Sequence, residues 1–331
     1  MAGRRTRVAT VVVLVAAVVV IAANIGLALG RHHGSDAPST ASAGRSSAHR
    51  THHTGGSGAD TTTKLAASAH ADSAAVASAT TPATDPRNPS SWTRTGAAAR
   101  RTPVPILMYH LVAAAPAGTA YPGLWVPPTL LREQVAALRK AGFVGVTLGE
   151  AWDAWHGDGR LPAHPVVLSF DDGDISQALG AGPVLKAAGW PGVLNLATGH
   201  LGPGGLPMWG ARRLIEQGWE IDSHTIDHLD VTTLDATALR HQLVGSKARI
   251  KHQLGVDARF FCYPAGRNDA TAQAAVKAAG YVAATTVEPG IATSSDAPFT
   301  LPRIRVEPTT TPTELVAMVQ GKAAAPAGAG E

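Results

Sequence analysis

Pro165-Val166-Val167-Leu168-Ser169-Phe170-Asp171-Asp172-Gly173 is the stretch that decides how this chain folds. It opens as a nearly continuous apolar run with β-branched and aromatic side chains, the pattern of a strand buried on both faces. It closes on two carboxylates and a glycine. Working outward, runs of the same kind predict strands at 104–112, 143–148, 191–198, 219–224, 259–263, 281–287 and 301–306. Helical stretches are predicted between them at 129–141, 178–188, 207–217, 235–254 and 268–279; in the first, Leu130, Leu131, Val135 and Leu138 recur at helical spacing. Strands alternating with helices imply a parallel sheet covered on both sides. The expected fold class is α/β, a distorted (β/α) barrel of seven or eight parallel strands, with an open doubly wound sheet as the alternative that a strand count leaves standing. In either, chemistry belongs at the carboxyl ends of the strands.

The ends of the chain have a different character. Residues 8–30 form an uncharged run rich in Val, Ala, Leu and Ile, preceded by Arg4, Arg5 and Arg7. That length spans a bilayer, so 8–30 is expected to be a transmembrane signal-anchor helix, with 1–7 cytoplasmic and the remainder extracytoplasmic. A cleaved signal peptide and secretion are the alternative. Residues 31–102, rich in Ala, Ser, Thr and His, are expected to be a disordered linker, residues 103–320 the catalytic domain, and 321–331 a flexible tail.

Charge follows the same division. Residues 1–102 hold 11 Lys and Arg against 4 Asp and Glu, whereas 103–331 hold 17 against 20. The basicity therefore belongs to the leading segment, and nucleic-acid binding by the folded part loses its support. The single cysteine, Cys262, excludes an intrachain disulfide, and no obligate protein partner is implied.

Two motifs carry chemistry. Asp171 and Asp172 end a buried strand, and adjacent strand residues serve one site only where the chain turns, which Gly173 permits. After the strand at 219–224 comes Ser223-His224-Thr225-Ile226-Asp227-His228. Histidines at i and i+4 share one face of a helical turn and can share a metal. Each motif alone also reads as an ordinary Asp-Asp-Gly turn or a surface histidine pair.

Together they resemble the polysaccharide deacetylase family (NodB-homology, carbohydrate esterase family 4). Phe261-Cys262-Tyr263-Pro264-Ala265-Gly266 is similar to that family's next segment. Ile106-Leu107-Met108-Tyr109-His110 and Leu301-Pro302-Arg303-Ile304-Arg305-Val306 point to its poly-N-acetylglucosamine deacetylase branch. The resemblance implies a metal-dependent hydrolase that removes N-acetyl groups from N-acetylglucosamine units of a cell-wall or extracellular polysaccharide. It implies Asp171 as general base and Asp172, His224 and His228 as ligands of a divalent metal, zinc first, with cobalt or nickel as alternatives. His110 is the candidate general acid. Tyr263, Pro264, Ala265 and Trp209 are candidates for the substrate groove, with Ala265 also beside the oxyanion. Many family members carry an arginine where Cys262 stands, and Arg303 or Arg305 is expected to supply that charge. An O-acetyl esterase using the same site, or a tethered carbohydrate-binding protein without activity, are the alternative functions.

Overall fold

The computed structural model describes residues 87–324. All eight expected strands are present: β1 (Ile106–Tyr109), β2 (Val144–Gly145), β3 (Pro165–Asp172), β4 (Val193–Leu196), β5 (Glu220–Ser223), β6 (Phe260–Cys262), β7 (Ala283–Pro289) and β8 (Leu301–Arg305). Every pairing is parallel. β1 pairs with both β8 and β3, so seven strands close a ring while β2 lies beside β3 outside it. The barrel is distorted because β1 takes the place next to β3 that sequential order would give to β2.

The expected helices appear as α2 (Pro128–Lys140), α4 (Gly182–Ala188, entered through a π turn at Gln177–Ala181), α5 (Met208–Glu216), α6 (Ala236–Leu254) and α7 (Ala270–Ala278). Three more were not anticipated: α1 (Gly96–Arg100), α3 (Leu148–His156) and α8 (Pro312–Val319). Both α3 and α8 open with capping boxes, Thr147 with Glu150 and Thr311 with Glu314, a signal present in the sequence. The apolar run at 143–148 concealed α3, because only Val144 and Gly145 are strand and Leu148 already begins the helix.

Strand alternation builds two layers. Outward residues such as Leu168, Phe170, Leu194, Ile221 and Phe261 join the core beneath the helices. Inward residues form a second core at the barrel's N-terminal end, where Ile106, Val167, Val193, Phe260, Ala283 and Leu301 meet. Higher up the same inward faces turn polar, with Ser169, Asp171, Asn195, Cys262 and Arg303 all buried. Burying polar groups costs free energy unless they bond to one another, so this interior is arranged for chemistry.

The boundary expected at residue 103 is corrected. Trp92 and Ala99 are buried in the N-terminal core together with Leu148, Ala151 and Trp155 of α3. Arg94 forms an antiparallel bridge to Leu161, with N–H···O distances of 3.0 Å in both directions. Residues 87–102 therefore cap the lower end of the barrel. Their contribution rests on single side chains, which no periodicity marks. Of the expected tail, 321–324 are described. The expected cytoplasmic segment, anchor helix and most of the linker lie outside the described residues, and no helix among those described is long and apolar enough to cross a membrane.

Candidate active site

The chain bends where β3 ends. Asp172 has φ 79° and Gly173 φ 95°; a Cβ on Gly173 would lie 2.5 Å from Leu196 Cδ1, so glycine is required there. Asp171 remains directed into the barrel and Asp172 is redirected to its mouth. Among the described residues the non-glycine positions with positive φ are Asp172, Thr225, His228 and Ala265. Such positions cost roughly 1–2 kcal/mol each, and all of them fall in the segments that carry the site.

Asp171 is 2% exposed and held by a bidentate ion pair. Arg303 donates from Nη1 to Oδ1 at 2.8 Å and from Nη2 to Oδ2 at 2.7 Å. Asn195 Nδ2 adds a bond to Oδ1 at 2.7 Å, and the Cys262 thiol lies 3.7 Å from Oδ2. Arg303 is itself fixed by bonds to Thr286 O at 2.8 Å and Ser169 Oγ at 3.2 Å. Burial alone would raise the Asp171 pKa; the charge and hydrogen bonds of Arg303, helped by His110 and His224, outweigh it and hold the carboxyl well below the usual carboxylate range. Of the two arginines expected to replace the charge missing at Cys262, Arg303 is the one on Asp171. The His110 ring, buried at the end of β1, brings Nε2 to 3.9 Å from Asp171 Oδ2.

Asp172 faces the two histidines. His224 Nε2 and His228 Nε2 lie 3.5 and 3.3 Å from its Oδ1. That oxygen is buried with no hydrogen-bond partner among the described residues. Metal–ligand bonds of about 2.05 Å at a tetrahedral angle put two ligand atoms roughly 3.3 Å apart, so the spacing and the donor set fit a divalent ion. His224 Nδ1 donates to Cys262 O at 2.7 Å, which leaves Nε2 as the ligand atom. Asp171, His224 and Cys262 also lie within ligand distance of one another, but Arg303 occupies both oxygens of Asp171. Burial raises the Asp172 pKa, yet His224, His110 and His228 together hold it low; burial likewise lowers that of His224, but Cys262 and the two carboxylates lift it well above the ordinary value.

The helical turn expected across 224–228 is a loop. Thr225 and His228 are left-handed, and the Ile226 and Asp227 N–H groups donate to Gln242 Oε1 of α6 at 2.9 and 3.0 Å. Gln242 thus accepts the bonds that helix carbonyls would have taken, and the two histidines converge across the loop with ring centroids 4.8 Å apart.

Above Asp172 and His228 a cleft of about 330 Å³ is bordered by Tyr121, Leu124, Asp230, Pro264, Ala265 and Arg267. Pro264 and Ala265 therefore border the cleft above Asp172. Tyr263 does not: Cys262 points inward at Asp171, so by alternation Tyr263 points outward, fully buried with its ring edge-on to Phe261 at 5.1 Å. Its backbone N–H is also engaged, donating to Thr285 O at 3.2 Å. Trp209 is likewise absent from the cleft, half-exposed in a hollow between α4 and α5 with Trp190 and Arg213. Placement just before a helix of the barrel did not determine which side of that helix it would occupy.

Sequence reading missed Asn195, Gln242, Tyr121, Asp230 and Arg267. Asn195 was detectable as the lone polar residue in the run Val193-Leu194-Asn195-Leu196, in register with Asp171 on β3. The others lie on loops or on α6, with no local signal.

Comparisons with known proteins agree with this fold. A profile of the family described as "Polysaccharide deacetylase" matches residues 158–284. The Bacillus subtilis protein YxkH, whose name places it among polysaccharide deacetylases, is 30% identical over 221 residues, covering 66% of this chain and 76% of its own. The poly-beta-1,6-N-acetyl-D-glucosamine N-deacetylase of Escherichia coli K12 is 41% identical over 68 residues, which is 20% of this chain and 10% of that one. The deacetylase PplD of Streptococcus pyogenes, solved with acetate, superposes with a TM-score of 0.62 at 26% identity, covering 66% of this chain and 99% of its own.

Proposed function

The chain belongs to the polysaccharide deacetylase family, and from that premise we propose that it is a metal-dependent N-deacetylase of N-acetylglucosamine units in an extracytoplasmic polysaccharide, releasing acetate. The observation that carries this reading is the convergence of Asp172, His224 and His228 beside an Asp171 clamped by Arg303. Residues 8–30 as the membrane anchor and placement of the catalytic domain outside the membrane belong to the same proposal.

Asp172, His224 and His228 would hold the ion. When bound, a divalent metal polarises the acetamide carbonyl and acidifies the attacking water, which allows a carboxylate as weakly basic as Asp171 to take its proton. Arg303 and Asn195 fix the Asp171 carboxylate in one orientation, so no reorganisation is needed during reaction. Oδ2, whose second donor is the Cys262 thiol at 3.7 Å where Oδ1 has the Asn195 amide at 2.7 Å, is the oxygen proposed to receive the proton. His110, beside that oxygen, is the proposed acid for the leaving amine, which departs poorly unless protonated. The Ala265 N–H, at the start of a 3₁₀ turn that offers it no internal partner, is the proposed donor to the developing oxyanion.

The test is acetate release from N-acetylglucosamine oligomers and from an O-acetylated polysaccharide, before and after metal removal and with zinc restored. Metal-dependent release from the N-acetyl substrate that is lost in Asp171→Asn supports the proposal. Release from the O-acetyl substrate alone would replace it with an esterase, and sugar binding without release under any metal would replace it with a binding protein.

A further inference from the structure

At the opposite end of the barrel from the cleft is a hollow of about 660 Å³. Arg94, Arg101, His164 and Lys322 line it over apolar surface that includes Phe143 and Val319, and no Asp or Glu among the described residues contributes to its wall. The four basic residues are exposed, and no ion pair among the described residues engages Arg94, Arg101 or Lys322. They come from three separate segments: the lead into β1, the turn before β3, and the chain after α8. Their backbones are fixed, Arg94 by its bridge to Leu161 and Lys322 by a 2.8 Å bond from its N–H to Ala317 O. Like charges gathered around a concavity without counter-charge repel one another and focus a positive potential there. An anion relieves that repulsion, and a guanidinium presents the fork that suits a phosphate.

We propose that this hollow binds the phosphate group of an anionic phospholipid. The apolar floor beneath a cationic rim favours a lipid over a soluble phosphate, because it can cover the glycerol and first methylenes next to the headgroup. The direction of the chain favours it too: residues 94–105 run along this hollow, and the 23-residue uncharged run at 8–30 lies upstream of them. Lys and Arg held within a Debye length of an acidic leaflet gain affinity for it. With this end held at the bilayer, the cleft at the strand carboxyl ends faces away from it, toward a polymer. The inference rests on the reading of 8–30 as a membrane segment but not on the deacetylase chemistry, and its test reads no activity.

The full chain in an uncharged detergent is titrated with dihexanoylphosphatidylglycerol, dihexanoylphosphatidylcholine, poly(glycerol phosphate) and inorganic phosphate, with binding followed by calorimetry. The expected result is that phosphatidylglycerol binds most tightly, and that Arg101→Glu/Lys322→Glu weakens it roughly tenfold or more. Arg101→Gln/Lys322→Gln should fall between, while Arg249→Glu, an exposed cation on α6, should leave binding unchanged. Circular dichroism checks that each variant is folded. Equal binding by the reversed variant, equal loss in Arg249→Glu, or no binding of phosphatidylglycerol overturns the proposal. Inorganic phosphate or poly(glycerol phosphate) binding as tightly as the lipid overturns the choice of a membrane.

Discussion

Replacing Arg303 by Met keeps most of the aliphatic stem and removes the guanidinium from a side chain that is wholly buried. At least four hydrogen bonds disappear, two to Asp171 and one each to Thr286 O and Ser169 Oγ. Breaking a buried ion pair by removing one partner costs about 3–5 kcal/mol. For a domain of this size each kcal/mol moves the melting temperature by about 2–4 °C, so Arg303→Met should melt roughly 6–20 °C lower at pH 7. The loss must also depend on pH. In the wild type the folded-state pKa of Asp171 lies below its unfolded value, so the pair's contribution is complete above about pH 4 and fades as pH falls below that. In Arg303→Met burial is opposed only by the Asn195 bond and by His110 and His224, so the pKa rises and the variant should no longer gain stability as pH rises from about 4. The gap between the two proteins should therefore widen from pH 3 to pH 7. Asp171→Asn/Arg303→Met, with no buried charge left, should be more stable at pH 7 than Arg303→Met alone. Urea denaturation across pH 3–8 measures all three, and acetate release should show the acidic limb of kcat/KM displaced upward in Arg303→Met. A stability loss constant over that pH range, or a double variant less stable than the single one, would refute the reasoning.

Three further outcomes follow from the same structure. Zinc at a hundredfold excess over its dissociation constant should stabilise the wild type by about 2.7 kcal/mol, and a chelator should reverse this; a melting temperature that responds equally in His228→Ala would remove the metal assignment. Half-buried Glu220 and buried Asp222 are a carboxyl pair on β5, where desolvation and then their mutual repulsion lift Glu220 well above its ordinary value, and burial pushes Asp222 up to about 6. Raised carboxyl pKa values stabilise below the unfolded value of about 4, and that contribution is lost as pH rises through the folded values. Glu220→Gln should thus raise the melting temperature at pH 8 and change it little at pH 4, a contrast that thermal scans at the two pH values would reveal or deny. Trp92→Ala should cost about 3–5 kcal/mol by opening a cavity in the lower core; a loss under 1 kcal/mol in denaturant titration would return residues 87–102 to the linker.

The strands were legible because a parallel sheet buried on both faces writes itself as apolar runs, and the eight runs in the sequence are the eight strands of the sheet, seven of which close the barrel. The ends of those runs also marked the site, since Asp171, Asp172 and His224 are polar residues at strand termini, where a barrel opens. The sequence by itself therefore determined the α/β class, the positions of the strands and most of the residues that meet at the mouth.

Closure of the ring was decided elsewhere. It depends on β1 pairing with β3 and β8, a relation between segments far apart in the chain. The same is true of the clamp on Asp171: Arg303 lies 132 positions away, and only the barrel's circumference brings β8 to face β3. Tyr263 and Trp209 fell outside the cleft because a side chain's direction depends on strand alternation and helix rotation, which neighbouring residues impose. Local sequence carries periodicity and turn chemistry, which are short-range. Which charges compensate one another, and which strained residues are tolerated to bring them together, is settled by packing across the whole barrel.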